Sequence, residues 1–154
     1  HDMQFHFRMV DPLVGDFLRE YLISSGATFY DFYRFLWSDL HLQSEHLMSF
    51  YTVSEDWEKQ MELTLLDMGD SGTELPTVAM NTVRLGDVLT QVGDRLIFCH
   101  DIFLNRNLYV QLIAIEEGDV ALLPGKCLKA VGADPAPSPD MEESVLEDLR
   151  DLYQ

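Results

Sequence analysis

Five histidines, two cysteines and twenty-seven acids hold most of this chain's capacity for polar chemistry, and they gather in few places. His41 and His46 stand beside Asp39 and Glu45. Imidazole with carboxylate suits zinc, manganese or iron, and His100 with Asp101 would complete a ligand set. The spacing argues the other way. His41 and His46 are five apart, off the i, i+4 step of helix-borne ligands, and no HExxH pattern occurs. His41, His46, His100 and Asp101 therefore stand as the candidates for a metal-dependent hydrolase or nuclease, against a reading as solvated or hydrogen-bonding histidines.

Cys99 beside His100 invites a nucleophile and its base. Neighbours on a strand point to opposite faces, so this pair cannot hydrogen-bond unless His6, His41 or His46 folds against Cys99 instead. The stretch Asp56-Trp57-Glu58-Lys59 sets two acids around a large aromatic in a turn. It reads as a Trp closing one end of the core, or as a recognition anchor made of Asp56, Trp57 and Glu58. Neither GxxxxGK[ST] nor GxGxxG occurs, so no phosphate cradle is expected, and no cofactor is implied. No catalytic residue is assigned.

The elements that position these residues are legible from hydrophobic period. Residues 4–10 alternate, with Phe5, Phe7 and Met9 on one face, and residues 16–23 continue past a Pro12 and Gly15 turn as the second strand of a hairpin. Phe29, Phe32, Tyr33, Leu36, Trp37 and Leu40 then recur at helical spacing. Thr28 is the expected N-cap and Asp31 completes a capping box. That aromatic stripe is what a sheet-facing helix requires, so core packing is expected of it. A turn of helix near Ser44 precedes strands over 48–53 and 60–66. Thr82 is expected to cap a short helix carrying Leu85, Val88, Leu89 and Val92. Strands over 94–101 and 107–115 follow as a hairpin, and 118–124 is expected as an edge strand. The prediction is an α+β fold: a single domain with a mostly antiparallel sheet covered by one long and one short helix, in the order ββαββαββ.

Charge dominates the composition. Ten basic residues against twenty-seven acids give a net charge of -17, yet 47% of residues are apolar, which marks a folding chain. Pro135, Pro137 and Pro139 form a semi-rigid linker. Beyond it Val145, Leu146, Leu149 and Leu152 have helical spacing, and Leu146, Leu149 and Leu152 are taken as binding candidates. Residues 134–154 hold seven acids and one arginine, a net of -6, which leaves -11 for the rest. Such a surface repels nucleic acid and anionic membranes and attracts cationic partners. With only three lysines no basic stripe for phosphate contacts is expected. Two cysteines make no disulfide framework and point to a reducing cytoplasm. His1 and Asp2 read as a cloning remnant, residues 3–133 as the domain and 134–154 as linker and acidic amphipathic tail.

Four stretches in order carry a resemblance: Ala27-Thr28-Phe29-Tyr30-Asp31-Phe32; Met48-Ser49-Phe50-Tyr51 leading into Asp56-Trp57-Glu58-Lys59; Leu96-Ile97-Phe98-Cys99-His100-Asp101 running into Leu108-Tyr109-Val110; and Pro124-Gly125-Lys126-Cys127-Leu128 with Gly132 beyond. In these the chain resembles the plasmid pRiA4b ORF-3-like family of small bacterial proteins, in its Bacteroidetes-type branch. The resemblance implies an α+β fold and a biochemical role that is largely unassigned. Some members bear a name linking them to transposon resolvases. That chemistry needs a nucleophilic serine with supporting arginines, a setting this chain lacks. Many relatives also carry Tyr-Asp-Phe-Gly-Asp-x-Trp late in the chain. The corresponding stretch here, His100 to Arg106, keeps one Asp and loses the Gly, the second Asp and the Trp.

The leading expectation is a non-enzymatic, cytoplasmic protein that works by contact with a protein partner, a basic one on charge grounds. A DNA-mimic inhibitor of a nucleic-acid-binding protein is the second reading, and the metal-dependent hydrolase or nuclease the third.

Overall fold

The alternation that opens the chain becomes a hairpin, β1 (Gln4–Asp11) and β2 (Val14–Ser24), in the computed structural model. The structure describes residues 2–42, 47–65, 74–118, 125–136 and 152. After the hairpin comes α1 (Phe29–Asp39), begun by the expected capping box: Asp31 N donates to Thr28 Oγ1 at 3.0 Å and Thr28 N to Asp31 Oδ2 at 2.9 Å. Then come β3 (Ser49–Val53), β4 (Lys59–Thr64), β5 (Thr77–Ala79), α2 (Leu85–Val88), β6 (Arg95–Asp101), β7 (Arg106–Glu116) and β8 (Lys126–Val131). The domain is α+β.

All eight strands form one mixed sheet, in the order β5-β4-β3-β6-β7-β1-β2-β8. Every neighbouring pair is antiparallel except β4 with β5. The predicted order ββαββαββ therefore lacked two strands. β5 is three residues long, below the length at which alternation can be read. β8 spans Lys126–Val131, beyond the 118–124 expected for an edge strand, and residues 119–124 lie outside those described. Its lysines and small residues hide the pattern, because an edge strand buries little.

One face of the sheet is covered by α1. Phe29, Phe32, Phe35 and Leu36 are buried there and Leu40 follows, while Tyr33 and Trp37 flank the contact half-buried. Phe32 is inserted between Phe7 and Phe50, with ring centroids 5.0 and 5.4 Å away, and Phe50 meets Phe98 at 4.9 Å. The aromatic stripe is core packing. α2 is shorter than expected: Thr82 Oγ1 bonds Ala79 O inside a preceding single turn of 3₁₀ helix, and Arg84 takes the N-cap position. Gly86 and the left-handed Gly93 (φ +101°) frame this segment, and Val92 is exposed. Among the described residues no helix is long and apolar enough to cross a membrane. Of the acidic tail only Leu152 is described, and it is 77% exposed.

Candidate functional site

Among the described residues the metal candidates form no ligand group. His41 follows α1 in a left-handed conformation (φ 54°), with Nδ1 2.8 Å from Asp134 Oδ2. Asp134 in turn accepts from the buried Arg19 at 3.0 Å, and Arg19 also donates to Val131 O at 2.6 Å and Gly132 O at 3.0 Å. Burial raises the Asp134 carboxyl, but the His41 and Arg19 hydrogen bonds outweigh that and hold it below the ordinary carboxylate range. Gly132 makes the approach feasible: at φ +79° a Cβ there would lie 2.5 Å from Asp16 O. His46 lies outside the described residues. His100 is on the core face of β6, 4% exposed, and desolvation with the nearby Arg106 pulls its pKa down to about 4. Asp101 is buried at the end of the same strand and accepts from Leu104 N in the β6–β7 turn. This turn is the form taken by the stretch His100 to Arg106. Among the described residues no three His, Cys, Asp or Glu side chains converge on a metal position.

Cys99 points away from His100, as alternation requires, and burial pushes its thiol up. Trp57 occupies the same side as Cys99. Its backbone is left-handed (φ 64°), rare for a bulky residue, and the turn is tied down by Ser54. Ser54 O accepts from Trp57 N at 3.0 Å, and Ser54 Oγ accepts from Asp56 N and Glu58 N at 3.2 Å. The indole stacks on Tyr109 with centroids 4.2 Å apart and planes at 17°. Arg95 lies over the ring at 5.1 Å and its guanidinium donates to Glu55 O. Trp57 thus closes a small cluster with Tyr51, Ile97 and Cys99 on the face opposite α1, and not an end of the main core. Asp56 and Glu58 are exposed beside it. Leu146 and Leu149 lie outside the described residues.

That second face holds what sequence reasoning missed. Tyr51, Ile97, Tyr109, Val10, Leu18 and Val131 are paired neighbours and form one apolar row across six strands. Alongside it runs a second row, Arg95, Gln111, Arg8, Glu20 and Lys129. Lys59 continues that row opposite Val53, its Nζ 4.0 Å from the Tyr51 ring centre. Lys126 stands opposite Leu22 on β8, so all three lysines of the chain lie on this face. Of its acids, Glu20 is engaged by His6 at 2.9 Å and Arg8 at 3.7 Å, and Glu62 accepts from Ser49 Oγ at 2.7 Å. Asp16 and Glu116 stand at opposite ends of it. The Tyr51 half is roofed by Trp57, Leu75 and Ile102. Trp57 also covers Tyr109; from Val10 to Val131 the row has no covering helix or strand among the described residues, and it runs from half-buried Val10 and Leu18 to Val131, 43% exposed.

No protein-family model and no curated protein matches the chain. Among solved structures it is similar to a protein of unknown function, MM3350 from Methanosarcina mazei Go1. The two share 18% identity over 97% of this chain and 82% of the other, with a TM-score of 0.71. That likeness extends to the fold alone.

What the open face can do follows from its two rows. Apolar area removed from water contributes about 25 cal/mol per Å². Charges within roughly 8 Å act at physiological salt whatever the distant net charge. The face thus favours a segment with apolar side chains along one edge and carboxylates along the next. An apolar hollow of about 60 Å³ between Leu47, Met48, Glu62, Thr64, Leu65 and Ile102 is too small for a drug-sized ligand.

Proposed function

We propose that this chain is a non-enzymatic, cytoplasmic protein-interaction domain of the plasmid pRiA4b ORF-3-like family, and that its contact surface is the open face of the sheet. The observation that carries the reading is the apolar row Val10, Leu18 and Val131, with Arg8, Glu20 and Lys129 in the adjoining row, on a chain of net charge -17. Net charge alone favours a basic partner. At the surface itself local charge decides, and there it favours a partner segment that is acidic and leucine-bearing. A DNA mimic would need carboxylates arrayed along an extended face, and on the open face the carboxylates Glu20 and Glu62 are interspersed with Arg8, Lys129 and apolar side chains. The separation of His41 from His100, and the burial of Cys99, give the hydrolase reading no support.

The test is retention of cellular proteins by the wild-type chain and by the Arg8→Glu/Lys129→Glu double variant, at low and moderate salt. The expected result is a retained protein lost from the variant while the thermal midpoint stays unchanged. Equal retention by both proteins would sink the proposal.

A further inference from the structure

We infer that the edge strand β8 takes an acidic, extended partner segment as a ninth strand; this deepens the interaction reading above and rests on it. In that strand two acids, two residues apart, face Lys126 and Lys129, and an apolar residue faces Val131. The sheet has two edges. β5 is three residues long and follows Pro76, so it offers little backbone to pair with. β8 runs for six residues and pairs only with β2. Among the described residues no backbone hydrogen bond reaches β8 from any other element, so its outer N–H and C=O groups stand open to another chain. The residues that follow lead away from that edge. Gly132 turns the backbone (φ +79°), and Arg19 and His41 hold Asp134 on the α1 side of the sheet.

The side chains of β8 set the specificity. Lys126 and Lys129 are three apart in sequence, yet they stand opposite Leu22 and Glu20, which are two apart, because the register shifts between them. The shift places both lysines, and then Val131 opposite Leu18, on the open face at successive pleat repeats of roughly 7 Å. Both lysines are exposed, and among the described residues neither has an ion-pair partner; Glu20, across from Lys129, is engaged by His6 and Arg8. Lysines on an edge strand also serve to repel other edges. A purely repelling edge has no use for exposed apolar side chains, and β8 carries two, Leu128 (44% exposed) and Val131. An antiparallel neighbour, the commoner pairing in this sheet, therefore reads apolar-x-acid-x-acid from its N-terminus. The β8 of a second copy would set lysine against lysine, which disfavours that occupant.

Fluorescence anisotropy on the full chain tests the assignment, with the labelled heptapeptide Thr-Val-Thr-Glu-Thr-Glu-Thr as probe. Saturable binding is expected, together with slowed amide hydrogen exchange in residues 126–131. Lys126→Glu/Lys129→Glu should weaken binding about tenfold, the sum expected of two exposed ion pairs. Pairing uses only one edge of the peptide backbone. N-methylation of the alternate residues along that edge should abolish binding, and methylation of the other alternate set should leave it intact. Four outcomes overturn the inference: no saturable binding, an equal response to both methylated sets, equal binding of a peptide with lysine for glutamate, or occupation of β8 by a second copy of the chain. Should the methylated peptides respond alike while partner retention still depends on Arg8 and Lys129, the edge assignment falls and the open face stands. Should retention be indifferent to those residues as well, the reading of the face falls with it.

Discussion

Lowering the pH from neutral should destabilise this protein through one imidazole. His100 is 4% exposed on the core face of β6, beside Phe98, and its pKa lies at about 4. In the unfolded chain the ordinary value of 6.5 returns. Because the folded value is the lower one, the neutral ring is the form that folding favours. Stability is therefore full above pH 6.5. It declines as the unfolded state takes up a proton that the folded state refuses, and the decline ends near pH 4. Within that window the slope is about 1.4 kcal/mol per pH unit, and the whole loss is on the order of 3 kcal/mol. Urea unfolding at half-unit steps from pH 7.5 to 4, for wild type and a His100→Phe variant, isolates this residue from the others that titrate there. Overpacking by the phenyl ring costs about 1–3 kcal/mol, but it does so equally at every pH. The variant curve should run flatter than the wild-type curve by the full slope. Parallel curves, or a direct titration of the His100 ring near 6.5, would refute the reasoning.

Two further substitutions test the structure elsewhere. Arg19→Met should cost about 2–4 kcal/mol in urea midpoint, because it leaves the carbonyls of Val131 and Gly132 without their charged donor. Asp134→Ala, at a carboxylate 39% exposed, should cost within about 1 kcal/mol. The depressed Asp134 pKa also means that its contribution is present above the ordinary carboxylate range and vanishes as pH falls through its own lower value. At Trp57, replacement by Gly should be less harmful than replacement by Ala by roughly 1 kcal/mol, since both lose the stack on Tyr109 but only Gly is unstrained at φ 64°; thermal melts with Ala more stable would contradict the left-handed assignment.

Where burial writes a period into the residues, the sequence was a good guide. Phe5, Phe7 and Met9 alternate because β1 is half-covered, and Phe29, Phe32 and Leu36 recur because α1 faces the sheet. The turn at Ser54 to Glu58 and the hairpin of β6 and β7 were legible for similar reasons. The open face was not. Its cations sit at 8, 59, 95, 126 and 129, far apart in the chain, and only the strand order brings them side by side. Alternation did place Arg8 and Val10 on one side of β1. Nothing local says that Lys129 stands across from Glu20 on the same surface. Likewise Arg19 is an arginine on the buried side of an otherwise apolar alternation, and its reason, Asp134, lies 115 positions later.

The strand order also dictates when the sheet can close. β1 is not an edge but an inner strand, held between β7 and β2, with Met9 opposite Val110. Three antiparallel pairs of sequence neighbours, β1 with β2, β3 with β4 and β6 with β7, can each zip up alone within a short stretch of chain. The seam between β1 and β7 must wait until residues beyond 106 have been made, and such long-range pairing is slow. On the ribosome the first hairpin would therefore present two bare strand edges through most of synthesis, that of β1 until β7 is made and that of β2 until β8 is made. That makes the β2 edge, the later of the two to be paired, the place where a chaperone or a neighbouring nascent chain has its longest opportunity.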